Sequence, residues 1–341
     1  MRRLSIVIPN FNYADFIGAA IDSALNVDWP DVEVIVVDDG STDDSRERIE
    51  SYGSRITALF QENSGPRVAC NAGFAISTGD AVVFLDSDDR LAPSIAREAE
   101  KVWTPELSKI QFEMRRIDRN GEPTGTVFPH YRGAPTPEQV RFWMRETTSY
   151  PTPPGSGNLY ARSFLEKIFP LDGRCGDATD SACLAAAPFL GDVVTITKPL
   201  ADYRQHGDNR SHLLADTTRF TKQIDRAYQR HLFALDVSGA PDIDLRPLFR
   251  SRHLLQLRVA RRRLRPSDPP LPGDSGRRMF ANAVTVPFAP GPEPVWRRLM
   301  ESAWSLATLV APFPLAQRLI TARFRQPGTV TAGSRPRFAQ V

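Results

Sequence analysis

Val82-Val83-Phe84-Leu85-Asp86-Ser87-Asp88-Asp89 opens with four apolar residues and closes with three carboxylates, and Gly79-Asp80 stands just before it. A short apolar run ended abruptly by acid reads as a buried strand whose C-terminal tip gathers negative charge in one place. Such crowding is costly unless something cationic sits there. Carboxylates at alternate positions across a strand-to-loop break can turn toward one hard cation, and Mg²⁺ or Mn²⁺ takes a few carboxylates together with oxygens of a substrate diphosphate. The alternative is a solvated acidic loop.

Working outward, the same pattern recurs. Leu4-Ser5-Ile6-Val7-Ile8 is a β-branched run closed by Pro9, and Asn12 is placed to cap a helix whose apolar Phe16, Ile17, Ala20, Ile21 and Leu25 recur at helical spacing. Val32 to Val37 is a second strand, tipped by Asp38-Asp39-Gly40-Ser41. A helix from about Asp43 to Ser51, a strand from Ile56 to Phe60, a Gly65-Pro66 loop and a helix from Val68 to Ser77 lead to the stretch quoted first. A β-α-β-α-β-α-β series of this kind predicts a mainly parallel α/β sheet, with ligands outside the carboxyl ends of its strands. Pro9, Asp38-Asp39 and Asp86 to Asp89 all fall at such ends.

Farther along, Asn120-Gly121 signals a hairpin, Thr136-Pro137-Glu138-Gln139 a capping box, and Pro151 to Gly157 a shaped loop. Asp177 and Asp180 precede a small-residue helix, Ser181 to Ala187, that Pro188 is expected to end. Val193 to Thr197 reads as a strand and Tyr203 to Asn209 as a polar loop. Beyond, Phe220 to Leu235 and Leu245 to Leu264 read as helices, the second rich in arginine, and Val295 to Arg325 mixes apolar residues with flanking arginines and is interrupted by Pro312 and Pro314. Gln326 to Val341 has too little apolar content to pack.

The net charge of +3 conceals an asymmetry: residues through Ala215 carry 22 Lys+Arg against 31 Asp+Glu, and the remainder 21 against 9. An acidic body followed by a basic segment suggests that the latter meets an anionic partner. Cys70, Cys175 and Cys183 are odd in number and lack metal-ligand spacing, as reduced cytosolic thiols would. Met1-Arg2-Arg3 begins like a signal peptide, but only Leu4 to Ile8 precede Pro9, and no stretch reaches the length of a membrane span.

Taken in order, Ile8-Pro9-Asn10-Phe11-Asn12, Val36-Val37-Asp38-Asp39-Gly40-Ser41, Glu62-Asn63-Ser64-Gly65-Pro66 with Asn71-Ala72-Gly73, and Phe84-Leu85-Asp86-Ser87-Asp88-Asp89 resemble the motifs of family 2 glycosyltransferases of the GT-A fold. Ser156-Gly157-Asn158 and Tyr203-Arg204-Gln205-His206 match later family positions, so the resemblance runs from about residue 3 to residue 212. It implies a Rossmann-like, mainly parallel sheet flanked by helices over residues 1–215. An α-helical basic extension over 216–325 and a disordered tail over 326–341 would follow.

The resemblance also implies roles. Pro9 and Phe11 would line a base pocket, and Asp39 would accept a hydrogen bond from an imide-type N–H of the base. Asp86, Ser87 and Asp88 would form the D-x-D motif, with Asp86 toward ribose or donor sugar and Asp88 on the metal; Asp89 would share either role. Asn71 falls in the donor-binding segment. Cys70 stands where the family often carries an arginine, and Arg67 is the candidate to replace it at the diphosphate. His206 would approach the metal or diphosphate. Asp180 is the expected base, with Asp177 as runner-up, because the usual Glu-Asp pair is absent. The implied activity is inverting transfer from a nucleoside-diphosphate sugar, a UDP-sugar favoured, to a saccharide or polyprenyl-linked acceptor in cell-surface polysaccharide or glycolipid synthesis. Apart from the resemblance, arginine clustering with interfacial Trp and Phe suggests that residues 245–265 and 295–325 bring the enzyme to the inner face of the cell membrane as a peripheral protein; the alternative is helices packed on the catalytic domain with a solvated basic face.

Rival readings are weaker. Haloacid-dehalogenase phosphatases want their acidic pair at the first strand, and no Gly-rich phosphate loop follows the first strand, as a nucleotidyltransferase would prefer. A non-catalytic nucleotide-sugar-binding protein would share the site but not the turnover. No nucleic-acid-binding motif accompanies the basic segment.

Overall fold

The apolar runs become strands and the periodic segments helices, in the order β1 (Leu4–Asn10), α1 (Ala14–Leu25), β2 (Val32–Asp38), α2 (Ser45–Glu50), β3 (Thr57–Phe60), α3 (Pro66–Ile76) and β4 (Ala81–Phe84). The chain continues through β5 (Arg90–Leu91), α4 (Ile95–Glu100), β6 (Leu107–Ile117), β7 (Pro123–Phe128), α5 (Pro137–Thr147), β8 (Asn158–Ala161), α6 (Arg162–Leu165), α7 (Thr179–Leu190), β9 (Asp192–Arg204) and α8 (Thr218–Val237). This computed structural model describes residues 1–176, 179–206, 217–240, 242–266 and 271–324. Asp177, the polar loop beyond His206 and the tail after Phe324 lie outside the described residues.

The sheet runs β3-β2-β1-β4-β8-β6-β9-β5, with β7 paired to β6. β1 to β4 are mutually parallel; β8 is antiparallel to both β4 and β6, and β9 is parallel to β6, so six of the nine strands share one direction. Alternate residues sort to opposite faces. Ile6, Ile8, Val34, Val36 and Val83 pack with Ile17, Ile21, Ile49 and Ile95, whereas Val7, Ile35, Val37, Val82 and Phe84 pack with Ala69, Phe74, Phe164 and Ala186. Burial on both faces is why the central strands read as unbroken apolar runs.

Several local expectations change. Asn12 does not cap α1: it takes a positive φ of 58°, and its Oδ1 accepts from Thr42 N at 2.7 Å. The first turn of α1 is held instead by Asp43, whose Oδ2 accepts from Ala14 N at 2.9 Å. Pro188 lies inside α7 and does not end it. The carbonyl it cannot pair with, that of Leu184, accepts from Tyr150 Oη at 2.9 Å, which removes much of the cost of an internal proline. β9 continues through Tyr203 and Arg204, because its parallel pairing with β6 extends to Ile117↔Arg204. The predicted capping box at Thr136 is present, with Gln139 N on Thr136 Oγ1 and Thr136 N on Gln139 Oε1.

Two compact units divide the chain: Met1–Met144, Tyr150–Gly207 and Arg230–Ile243 form the first, Arg145–Ser149, Asp208–Gln229 and Asp244–Val341 the second. Besides the start of α8, the second unit contains α9 (Arg246–Arg250), α10 (Arg252–Leu264), α11 (Gly276–Thr285), α12 (Val295–Val310) and α13 (Phe313–Phe324). The predicted helix from Leu245 to Leu264 is thus two, parted at Ser251, whose hydroxyl caps Leu254 N. α11 was not anticipated. Phe220, Ile224, Leu248, Leu254, Leu257 and Ile320 share a core, and Leu255, Val259, Met279 and Ala283 a neighbouring one.

The arginine-rich 245–265 stretch keeps Arg246, Arg250, Arg262 and Arg265 exposed and turns others inward. Arg258 is fully buried and bonded to both carboxylate oxygens of Asp274, at 2.8 and 2.6 Å; Arg252 pairs with Glu293, and Arg263 donates to Ala311 O. No helix among the described residues is long and apolar enough to cross a membrane.

Candidate active site

Parallel register brings the strand ends level: Pro9 stands beside Val37, Asn10 beside Asp38, and Val7 beside Phe84. The acid at the tip of β2 is used internally. Asp38 accepts from Asn10 Nδ2 at 2.8 Å, Ser41 Oγ at 2.6 Å and Ser41 N at 3.1 Å. Asp39, 3 % exposed, accepts from Gln61 Nε2 and Ser64 N on one oxygen and from Gly65 N on the other. That shapes the loop before α3 and leaves room for about one more donor. Gly40 must be glycine there: its φ is +74°, and a Cβ would lie 2.7 Å from Asn63 N. Phe11 remains 38 % exposed, next to the half-buried Pro9.

At the tip of β4 the carboxylates separate into different jobs. Ser87 is buried and donates to Pro9 O at 2.6 Å, tying the tip to β1. Asp89, expected among the cation ligands, is turned inward: it is 1 % exposed and its Oδ1 accepts from Arg204 N at 2.9 Å. Burial, and then the charges of Asp86 and Asp88, push its pKa well above the usual carboxylate range. Asp88 Oδ2 lies 2.9 Å from His206 Nε2, and the imidazole stacks on Phe16 at 5.1 Å. Arg204 Nε donates to Asp88 O at 2.8 Å, so the end of β9 clasps this tip at three points.

Asp86 is exposed to solvent, with the Gly155 loop close against its carboxylate. Loss of solvation at the carboxylate, with the charges of Asp88 and Asp180, raises its pKa to about 7. Its backbone N–H donates to Ser156 Oγ at 3.0 Å. Asp180, in the first turn of α7, accepts from Gly155 N at 3.3 Å. Gly155 is therefore the common neighbour of Asp86 and Asp180, and a Cβ on it would stand 2.8 Å from Asp86 Oδ2.

What fixes that loop escaped sequence reasoning. Lys109, fully buried on β6, donates to Gln111 Oε1, Thr152 Oγ1 and Asn158 Oδ1 at 2.9 to 3.1 Å. Asn158 Nδ2 in turn faces the carbonyls of Pro153, Pro154 and Gly155, and Gln111 Nε2 that of Pro151. Burial drives the ammonium's pKa well down, and Asp180 opposes that shift. The available signal was a lysine and a glutamine two residues apart in the strand Leu107 to Met114, beside apolar Leu107, Ile110, Phe112 and Met114.

Arg67 and Asn71 converge elsewhere, on the backbone of Leu171: Arg67 Nη1 and Asn71 Nδ2 donate to its carbonyl, and its N–H donates to Asn71 Oδ1. Cys70 points into the core, where burial raises its thiol pKa to about 12. All three cysteines are unpaired and buried.

Among the described residues no three His, Cys, Asp or Glu side chains stand together at ligand distance from one point. The donor set nevertheless suits a hard cation. Loss of solvation, and then the charges of Asp88 and Asp180, lift the pKa of Asp86 toward neutrality, and a divalent ion would relieve that repulsion.

The family model described as Glycosyl transferase family 2 matches residues 5–169. An uncharacterized glycosyltransferase of Nostoc sp., alr2836, is 35% identical over 223 residues, covering 63% of this chain and 69% of that protein. The Escherichia coli glycosyltransferase YibD is 35% identical over 96 residues, 27% of this chain and 28% of its own length. The fold matches Staphylococcus aureus TarS 1-349, solved with UDP-GlcNAc, at a TM-score of 0.54 and 13% identity over 92% of both chains. It also matches the mannosyltransferase PcManGT of Pyrobaculum calidifontis, solved with GDP-Man and Mn²⁺, at 0.50 and 18% over 94% of this chain and 84% of that one. The motifs, the parallel half-sheet with its acid-tipped strands and these relatives agree: the chain belongs to glycosyltransferase family 2 and is a glycosyltransferase with the GT-A fold.

Proposed function

We propose that this glycosyltransferase moves a sugar from a nucleoside-diphosphate donor, a UDP-sugar favoured, to a hydroxyl of a saccharide or polyprenyl-linked acceptor, with inversion at the anomeric carbon, in cell-surface polysaccharide or glycolipid synthesis. The observation that carries this reading is the meeting of Asp86 and Asp180 over Gly155, with Asp88 and His206 paired beside them.

In this reading Asp180 takes the proton from the incoming hydroxyl as the new C–O bond forms and the bond from the anomeric carbon to the diphosphate breaks. Its place in the first turn of α7 sets it beside the helix's N-terminal amides. Gly155 N–H holds one oxygen and leaves the other for the acceptor. Pro9 and the exposed ring of Phe11 offer an apolar wall for the base, and the remaining lone pair of Asp39 a polar edge. Asp86 and Asp88, with His206, would hold Mg²⁺ or Mn²⁺, which would supply charge neutralisation to the departing diphosphate. Arg67 and Asn71 act through the Leu171 backbone, positioning the segment that leads to α7.

The test is a thermal-shift screen of UDP, GDP and dTDP and their sugars, with and without Mn²⁺, followed by transfer assays with the stabilising donor. Mn²⁺-dependent stabilisation and turnover are expected. Binding with neither hydrolysis nor transfer would leave a nucleotide-sugar-binding protein, and no stabilisation by any donor would remove the reading.

A further inference from the structure

α12 is apolar on two sides: Trp304, Leu306 and Leu309 pack against the helical cores, and a second apolar stripe faces outward. Its buried residues are Ser302, Ser305 and Thr308, while Trp296, Leu299, Met300 and Val310 are exposed. With Ala303 and Ala307, also exposed, these side chains fall on about one third of the circumference at 3.6 residues per turn, opposite the buried polar set. Two of these buried hydroxyls are bonded, Ser302 Oγ donating to Ala283 O and Ser305 Oγ to Glu301 O, and Trp304 Nε1 donates to Leu319 O. Phe288, 83 % exposed before α12, and Phe280 and Val284 on α11 are further exposed apolar residues of this unit.

We infer that the outer face of α12 lies on an anionic lipid surface. Charge decides between the possible occupants. Arg277, Arg278 and Arg318 are exposed on α11 and α13, whereas both acids of α12 and its approach are engaged by arginine, Glu293 by Arg252 and Glu301 by Arg252, Arg323 and the exposed Arg297. A second copy of this helical unit would bring exposed arginines against exposed arginines; lipid phosphates would neutralise them. An apolar stripe with a tryptophan at one end and exposed arginines in the same unit is what an interfacial helix requires, and no described helix is able to cross instead. The attachment falls on 295–310 alone of the two stretches expected from sequence, and it does not depend on the transfer reaction.

Flotation of the full chain with phosphatidylcholine vesicles, and with the same vesicles carrying about one third phosphatidylglycerol, tests it. Binding to the anionic vesicles only, weakened by salt, is expected, with about a tenfold or greater loss in W296S/M300S and in L299S/V310S. Circular dichroism and the thermal midpoint should stay unchanged, since all four positions are exposed. Failure of the wild type to float with anionic vesicles, or undiminished flotation of both double variants, overturns the inference. So does a wild-type dimer, seen by light scattering without lipid, that W296S/M300S converts to monomer.

Discussion

Asp88 and His206, 118 residues apart in the chain, meet at 2.9 Å, and Arg204 fastens the same tip through Asp89 Oδ1 and Asp88 O. The end of β9 therefore holds the acidic tip of β4 in shape. His206→Ala should weaken donor binding in the presence of Mn²⁺ by about 10- to 100-fold, the usual cost of losing a group that orients or joins a metal ligand. Titration calorimetry with the donor nucleotide, with and without Mn²⁺, measures this; equal affinity with and without the imidazole would remove His206 from the site.

Asp180→Asn keeps the shape of the side chain and the contact with Gly155 while removing the base. Turnover should fall by about 10²- to 10⁴-fold with donor affinity preserved. Transfer at the wild-type rate would assign the base elsewhere, with Asp177 as the next residue to substitute.

Asp86, with an ordinary value of 3.8 and a native value of about 7, gives the metal-free protein a distinctive pH response. Below pH 4 the folded and unfolded chains both hold the proton, so there is no difference. Between about 4 and 7 the folded chain binds more protons than the unfolded one, so stability must fall as pH rises through that window. Asp89, shifted in the same direction, adds to the fall. Thermal midpoints in EDTA should decline from pH 4 to 7, less steeply in Asp86→Asn, and Mn²⁺ should recover more at pH 7.5 than at pH 5. A flat profile in the wild type would contradict the crowding of these carboxylates.

Gly155→Ala would drive a methyl group to 2.8 Å from Asp86 Oδ2. The carboxylate must move, and a displacement of about 1 Å at a positioned group can cost about 100-fold in rate. kcat/KM for the donor should drop while the unfolding midpoint shifts little; unchanged kinetics would show that Asp86 need not occupy this position.

The Arg258–Asp274 pair lies wholly inside the helical unit. Asp274→Ala strands a buried guanidinium and should cost about 3–5 kcal/mol, whereas replacing both partners by apolar residues of similar volume should cost much less. Chemical denaturation of the single and double variants separates the two cases.

How much was legible in the sequence depended on range. The alternation of Leu4 to Ile8, Val32 to Val37 and Val82 to Leu85 with helical segments determined a parallel half-sheet, because strands buried on both faces must be apolar throughout and parallel neighbours need crossovers. The acids that follow them thereby had to share one edge. What sequence could not decide is which of those acids face outward. Asp86, Ser87, Asp88 and Asp89 are contiguous, yet one lies under Gly155, one bonds Pro9 O, one pairs with His206 and one is buried on Arg204 N. Those partners come from β1, the loop before β8 and the end of β9, so only tertiary packing assigns them. The same holds for arginine and serine in the helical unit. Composition fixed a basic segment, but burial of Arg258 and of the Ser302 face, set by which helices touch, decided that charge turns inward on α10 and apolar surface outward on α12.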